Sequence, residues 1–458
     1  MSIVTTNVTQ AVAAAPSTLQ RTGALVSIGG TTLANNASLL LTQLSDLTSH
    51  LAGGISITAA STTWVGGTVT MTTATAHGFT TGDIVTVAGF AGAGYTGYNG
   101  TFTITVASPT TFTYAVVATL TSPATGTAVV TDQDVAELTA MATTFFAQGT
   151  SQAVYVLELG HGTITSDVAA LGAYITANPL LYYRYLVPRE FAAEATFVSL
   201  MATYESATAK VYFHVTSTLS TYASFTALMK NVFQLIEAST VTATEFTSAA
   251  PFYNALKINP GSTNQVAPFC YGFVTGVTAY PVTAAQVILF KAAKLNYIST
   301  GAEGGISNTM IVDGLMCDGN PLNYWYSVDW MQINVDLQVS NAVINGSNQV
   351  PPLYYNQSGI NRLDIVAQRI AGQGVSYGLA LGPVNSYQLS SADFNTLLAS
   401  GKAPLGVITN AVPFASYTTL NPLDYPLGQY SGLSVSYTPA RGFQTITFNI
   451  NVSNFVAG

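Results

Sequence analysis

A stretch with helical periodicity, residues 321–381, constrains the fold more than any other part of the sequence. Steps of three and four residues place its apolar side chains on one face, which predicts a helix over residues 322–344. Asn345-Gly346 is a typical helix stop, and Pro351-Pro352 prevents a restart. The residues that carry this stripe are Trp330, Ile333, Leu337 and Ile344.

A second, shorter helix is predicted after this loop, over residues 359–371. Gly372 or Gly374 is expected to end it, because glycine is the usual residue past a helix end. An apolar segment, residues 375–381, then has the composition of a strand. The loop between the two helices is longer than usual, so their mutual packing is expected without being forced.

Residues 55–132 differ from the rest in being rich in Thr, Val, Ala and Gly, with turn signals every eight to twelve residues. This spacing predicts an all-β unit of about five strands, a sandwich or a small barrel. Alternation over residues 101–106 indicates a sheet with one buried side. The predicted strands are residues 68–72, 84–88, 101–106, 111–117 and 127–131.

Short apolar strands alternate with helical patterns over residues 133–300, which predicts a parallel α/β layer. A strand at residues 25–28 would belong to the same sheet, and a helix carrying Leu39, Leu40, Leu44 and Leu47 would follow it. The β unit would then be inserted after the first helix of the layer. The predicted fold class is therefore a multidomain α/β and α+β protein with an all-β insertion.

Both ends of the chain have β-prone segments. Residues 443–452 end in a strict period-two apolar face, and residues 432–437 would pair with them as a hairpin. A hairpin with one apolar face needs further strands, which its own domain or a neighbouring subunit could supply. The strand-forming residues at the two ends are Ile3, Val4, Val8, Leu433, Val435, Phe443, Ile446, Phe448, Ile450 and Val452.

Catalytic chemistry finds little support in the sequence. His161 follows a predicted strand of the parallel layer, where α/β enzymes place sites, but no nucleophile elbow, cysteine or Asp pair adjoins it. We therefore interpret it as a loop histidine, His77 as a turn residue, His214 as a satisfied core residue and His50 as isolated. The acidic residues show no calcium-binding spacing, and Asp313, Asp318 and Asp329 fit turn and N-cap roles. The sequence predicts no catalytic, cofactor-binding or metal site.

Composition excludes further classes. Charged residues make up 7% of the chain, against about 25% in ordinary soluble domains. This favours a protein covered largely by copies of itself, and the alternative is a soluble protein kept in solution by Thr, Ser and Asn. A net charge of −8 without a basic run argues against nucleic-acid binding. No apolar run is long enough for a transmembrane helix, and the start lacks a signal-peptide pattern. Cys270 and Cys317 are expected to be free thiols, with a disulfide left open.

The order of segments in the C-terminal part is similar to a known family. Residues 310–319 (MIVDGLMCDG) precede the first predicted helix, residues 324–330 (YWYSVDW) lie at its start, and residues 351–360 (PPLYYNQSGI) join it to the second. Over residues 280–458 this order resembles the core of contractile-tail sheath proteins, in particular a bacteriophage branch. The β unit is similar to modules of phage virion proteins. A tail fibre, an adhesin or an S-layer subunit is the alternative, and an enzyme comes third.

The resemblance implies a structural virion protein, assembled in the host cytoplasm as six-fold rings around an inner tail tube, with baseplate and tail terminator proteins as further partners. It implies no cofactor. The terminal strands would be exchanged between subunits, with flexible joints near residues 13–16 and 421–432, and Arg362, Arg369 and Lys402 would contact the tube. The implied division is an arm at 1–20, an α/β domain at 21–54 and 133–300, an outward-facing β insertion at 55–132, a tube-facing core at 301–430 and an arm at 431–458.

Overall fold

The computed structural model describes residues 18–92, 94–225, 228–263, 266–300, 308–401 and 406–444. Near the start, the leucine-rich segment predicted as a helix forms a strand instead, with Leu41 buried and Leu40 45% exposed. Short apolar runs suit either element, and here pairing with residues 154–157 of the central sheet decides. The elements of this part are β1 (Gly23–Ser27), β2 (Ser38–Leu41) and α1 (Ser45–Thr48).

Residues 55–132 form eight strands in two four-stranded antiparallel sheets around one apolar core. The strands predicted at 68–72 and 84–88 are confirmed, but the one at 101–106 is split. Ile104 bonds to residues 82 and 83, so the chain passes there from one sheet to the other. Two strands, at 55–58 and 62–65, were missed. The strands are β3 (Ile55–Thr58), β4 (Thr62–Val65), β5 (Thr68–Thr72), β6 (Ile84–Ala88), β7 (Gly100–Thr103), β8 (Thr105–Ser108), β9 (Thr111–Ala115) and β10 (Thr127–Asp132).

The predicted parallel layer is present as a six-stranded sheet in the order β14-β13-β12-β1-β11-β2. Neighbouring strands in this sheet pair in parallel, except that β2 pairs with β11 antiparallel. Apolar clusters cover both faces, so the five parallel strands are almost entirely buried, whereas the edge strand β2 is mostly exposed. The elements are α2 (Gln133–Ala147), β11 (Val154–Glu158), α3 (Ile164–Ala177), β12 (Arg184–Leu186), α4 (Ala195–Ala202), β13 (Tyr212–Ser217), β14 (Val232–Ile236), α5 (Ala249–Leu256) and α6 (Pro260–Thr263).

A long helix attaches the C-terminal part to this sheet. Its first half carries Leu322, Tyr326 and Trp330, all buried, whereas Ile344 near its end is 44% exposed. It runs past the predicted stop at Asn345-Gly346 to Ser347. The elements of this part are α7 (Ala284–Ala293), β15 (Tyr297–Thr300), β16 (Thr309–Val312) and α8 (Leu322–Ser347).

The second predicted helix is longer than expected. Gly374 lies within it, and a Cβ at that position would lie 2.9 Å from Met331 Cε of α8, which shows how closely the two helices pack there. The strand predicted at 375–381 is therefore wrong. The elements are α9 (Gln357–Ser376), β17 (Val384–Tyr387), α10 (Ser391–Ala399), β18 (Val407–Ala411), α11 (Phe414–Leu420) and β19 (Leu433–Ser436).

These last strands form a three-stranded sheet in the order β17-β18-β19. β18 pairs with β17 in parallel and with β19 antiparallel, and α9 packs against it. Each outer strand thus has one strand neighbour among the described residues. None of the helices that the structure describes combines the length and apolar character needed to span a bilayer.

Candidate functional site

A cluster of three carboxylates surrounds the imidazole of His161. We call His161, Asp83, Asp132 and Asp134 the His161 junction. His161 Nε2 lies 2.7 Å from Asp83 Oδ2 and 3.5 Å from Asp132 Oδ2, and its Nδ1 lies 3.7 Å from Asp134 Oδ2. Asp83 precedes β6 and Asp132 caps α2, whereas His161 follows β11. The cluster therefore joins the β unit to the parallel layer.

Backbone contacts fix the orientation of the ring. His161 Nδ1 lies 3.1 Å from the carbonyl oxygen of Ile28. Gly29 has φ +105°, and a Cβ there would lie 2.7 Å from His161 Nδ1, so glycine makes room for the imidazole. Below the ring, buried Glu158 accepts hydrogen bonds from the N–H groups of Gly29 and Gly160. These contacts hold together the loops at the carboxyl ends of adjacent parallel strands β1 and β11.

The carboxylates of this region outnumber the cations. Burial opposes ionisation of Asp83, but hydrogen bonds from His161 and Thr80 lower its pKa below the usual value. Burial also disfavours the imidazolium, yet the bond to Asp83 raises the pKa of His161 to about 10. Burial and the charge of Asp132 raise the pKa of Asp134 to about 9. Without a bound ion, these shifts favour an imidazolium–carboxylate pair with a neutral Asp134 beside it at neutral pH.

The spacing of the acidic residues in the sequence did not indicate this cluster. The cluster forms because β10 returns the chain to the parallel layer at Asp132, directly in front of α2. Asp132 could have been found as an N-cap, and Asp83 as a turn residue after Gly82. What the sequence did not indicate is that both would meet the loop of His161.

A second polar cluster, the Asp329 junction, joins the parallel layer to α8. It consists of Asp329, Tyr183, Tyr212, Arg184 and His214. Asp329 Oδ2 accepts hydrogen bonds from the hydroxyls of Tyr183 and Tyr212, both at 2.7 Å. Asp329 is 0% exposed and the two tyrosines are equally inaccessible, at 0% and 1%. A helix and two strands are thereby linked through one carboxylate.

Arg184 and His214 complete the cluster. The guanidinium lies 5.0 and 5.2 Å from the ring centroids of Tyr183 and Tyr212, within the range of cation–π attraction. Arg184 NH1 lies 3.3 Å from His214 Nε2. Burial and the guanidinium hold the pKa of His214 well below its usual value, so the neutral ring accepts this bond.

Two predictions about these residues are corrected. Asp329 does not lie in a turn or at an N-cap, but seven residues into α8. His214 is buried in a strand as expected, yet only its Nε2 has a partner, and Nδ1 has none among the residues described. Asp318 does have the predicted turn role, since it accepts hydrogen bonds from Asn320 N and Trp325 Nε1. In the sequence, a tyrosine at the start of a strand does not indicate that its hydroxyl binds a distant carboxylate, so the Asp329 junction was not predicted.

The structure places only some of the predicted arm residues. Leu433 and Val435 lie in β19, where Ala411 and Thr409 of β18 are their partners within the same chain. Phe443 is 79% exposed. Pairing between subunits stays a prediction. The other predicted arm residues lie outside the described ranges: Ile3, Val4, Val8, Ile446, Phe448, Ile450 and Val452.

The two arginines predicted to contact a tube lie on the outer side of α9. Arg369 is exposed and Arg362 is half-buried, with Ile365, 62% exposed, between them. Arg362 NH1 donates to Pro351 O and Arg369 NH2 to Gln338 Oε1, so both bind neutral groups. Lys402 lies outside the described ranges.

The segment predicted as a flexible joint near 421–432 is held by side-chain contacts. Tyr355 OH donates to Gln429 O, and the Tyr355 ring lies 5.2 Å from that of Tyr425. The hydroxyl of Tyr417 accepts from Ser431 N. The other proposed joint, 13–16, lies outside the described residues. Both cysteines, Cys270 and Cys317, are free thiols.

No protein-family model matches the sequence, and no curated protein matches it either. The sheath tail protein Lin1278 from Listeria innocua is 7% identical, with 93% of this chain and 97% of that chain covered and a TM-score of 0.41.

Two structures of the anti-feeding prophage are also similar. Its baseplate is 13% identical over 70% of this chain and 80% of that chain, with a TM-score of 0.46. Its helical sheath in the contracted state is 11% identical over 68% and 81%, with a TM-score of 0.43. The similar structures are thus a sheath tail protein, a chain of a baseplate and a chain of a contracted helical sheath.

Proposed function

We propose that the protein is a structural subunit of a contractile phage tail sheath and not an enzyme. In this proposal it polymerises as six-fold rings around an inner tail tube, and contraction by subunit repacking drives the tube through the host envelope. The sequence resemblance over residues 280–458 suggests the class. Baseplate and tail terminator proteins would be its other partners, and the virion its location after assembly in the bacterial cytoplasm.

One observation carries the proposal. The three-stranded sheet of β17, β18 and β19 has an outer strand on each side without a further strand neighbour among the described residues. An alternating apolar segment, residues 446–452, follows in the same chain. Such open edges accept an added strand, because their unpaired N–H and C=O groups form a ready template. A terminal segment of one subunit would thus complete the sheet of another.

Imaging of the purified full chain by negative-stain electron microscopy tests the proposal. We expect hollow, striated tubes or six-fold rings to form without other proteins. The chain ending at Gln444 is the matching truncation. It keeps β19 and its pairing with β18, and it removes only residues that follow. This truncation is expected to stay monomeric.

A pair of substituted chains controls for the loss of residues as such. Serine at Ile446, Phe448 and Ile450 removes the apolar face and should prevent tube formation. Serine at Thr447, Asn449 and Asn451 changes the opposite face and should leave it intact. A full chain that stays monomeric, or that forms slender trimers, would favour a fibre protein. Tubes formed equally by both substituted chains would remove the strand-exchange mechanism.

We further propose that Arg362 and Arg369, with Lys402, contact the tube. Two cations on one helix of a poorly charged chain suit an acidic partner surface. Reversing both arginines to glutamate should reduce co-assembly with the tube protein while self-assembled tubes persist. Unchanged co-assembly would rule this contact out.

A further inference from the structure

We propose that Asp83, Asp132 and His161 bind a divalent first-row transition-metal ion that clamps the β unit to the parallel layer. Three potential ligand atoms, one from each residue, all lie within 4.8 Å of one another. Zn²⁺ bonds nitrogen and oxygen ligands at about 2.0–2.2 Å, which sets its ligand atoms about 3.4 Å apart in tetrahedral geometry. The 3.5 Å from His161 Nε2 to Asp132 Oδ2 is close to that distance. The 2.7 Å to Asp83 Oδ2 is a direct hydrogen bond, so Asp83 would move outward to admit an ion.

The imidazole has the environment of a ligating histidine. A histidine that binds a metal through one nitrogen usually donates its other N–H to a carbonyl or carboxylate, which fixes the tautomer and the ring plane. Here Nδ1 lies 3.1 Å from Ile28 O, so Nε2 is the nitrogen turned toward Asp83 and Asp132. The lone pair of a neutral ring would thus point to the carboxylates.

The carboxylates around the triad make a second, independent observation. Asp167, in the first turn of α3, is only 4% exposed, and its Oδ2 has no hydrogen-bond partner among the described residues. Its Oδ1 lies 2.7 Å from the position that a Cβ on Gly162 would occupy, which places the side chain beside the His161 loop. Asp134 lies 3.7 Å from the imidazole on the other side.

One imidazolium supplies a single positive charge to this group of carboxylates, whereas a divalent ion supplies two. One imidazole with carboxylates suits Zn²⁺ or Mn²⁺ better than Ca²⁺, which takes oxygen ligands only.

The alternative is a protonated His161 that forms a salt bridge with Asp83 and binds no metal. Both arrangements hold the β unit in place, but they differ in how they respond to an added ion. An ion bound by residues from both parts would stabilise the folded chain, because it has no comparable site in the unfolded state. The inference does not depend on the proposed sheath role, since binding is measured on the dispersed chain.

Calorimetric titration of the chelator-treated full chain with Zn²⁺, and separately with Mn²⁺, tests the proposal. We expect one ion per chain and a higher midpoint of thermal unfolding with the ion present. Asp83→Asn and Asp132→Asn should weaken binding by more than about tenfold. Asparagine keeps the N-cap at Asp132, and Asp46→Asn, outside the cluster, is the matched control and should bind like the parent chain.

Zinc K-edge absorption on the unsubstituted chain settles the ligands even where a variant fails to fold. One imidazole nitrogen with carboxylate oxygens is expected. Three results would each overturn the proposal. They are an absence of saturable binding, binding by Asp83→Asn and Asp132→Asn as tight as that of the parent chain, and a spectrum with thiolate in place of imidazole.

Discussion

The two polar junctions connect the parallel layer to its neighbours by different physical means. At the His161 junction the side chains are 11–17% exposed, and they come from loops and a helix start. At the Asp329 junction the carboxylate is 0% exposed, and its partners lie on or beside strands and on the long helix α8. One is a set of charges at the edge of the sheet, and the other lies inside the core.

This difference predicts which parts can shift. Charges near the surface can exchange their partners for water at a modest cost, so the loops around His161 can rearrange. A buried carboxylate that accepts two tyrosine hydroxyls cannot separate from them without leaving polar groups unpaired in the interior. We therefore expect the parallel layer and the first half of α8 to move as one body if subunits repack. Movement of the β unit relative to that body would be easier.

The largest effect is expected from Asp329→Ala. This substitution removes the acceptor of the Tyr183 and Tyr212 hydroxyls, and it creates a cavity beside them. We expect the free energy of unfolding to fall by about 3–5 kcal/mol, measured by chemical denaturation of dispersed chain. Asp329→Asn is the matched control, because its amide oxygen can still accept both hydroxyls, and its loss should be smaller. A loss below about 1 kcal/mol for alanine would contradict the rigid-joint interpretation.

Asp83→Asn should have a smaller effect than Asp329→Ala, because the His161 junction is partly solvated. In chelator, the loss of the charged bond to His161 is expected to lower the free energy of unfolding by about 1–2 kcal/mol. Added salt should narrow the difference in the free energy of unfolding between Asp83→Asn and the parent chain, since partly solvated charges are screened. The difference between Asp329→Ala and the parent chain should not change with salt. Equal salt sensitivity at both sites would remove the distinction.

The sequence predicted helices and strands well where the hydrophobic periodicity and the glycine or proline residues at element ends agreed. Helix α3, for example, lies within residues 133–300, where the sequence predicts helices alternating with strands. The helix α9 was predicted too short, because Gly372 and Gly374 usually mark helix ends. Close contact of Gly374 with Met331 of α8 is a tertiary effect that no local rule contains.

Neither junction could be predicted, since each depends on partners far apart in the chain. Tyr183 and Asp329 are separated by 146 residues, and His161 and Asp83 by 78. The spacing of an aspartate within an amphipathic helix does not indicate whether it meets water or two tyrosines. The composition of the β unit likewise predicted strands without indicating that Asp83 and Asp132 emerge at the same end.

The pH dependence of stability gives the finest test of the buried junction. Burial raises the pKa of Asp329 above its ordinary value of 3.8, against the opposing influence of Lys230 and Lys210. A group with a raised folded-state pKa contributes its stability below the unfolded-state pKa and loses it as the pH rises toward the folded value. The parent chain should therefore lose stability relative to Asp329→Asn as the pH rises above the ordinary value of 3.8, which chemical denaturation across a pH series would measure.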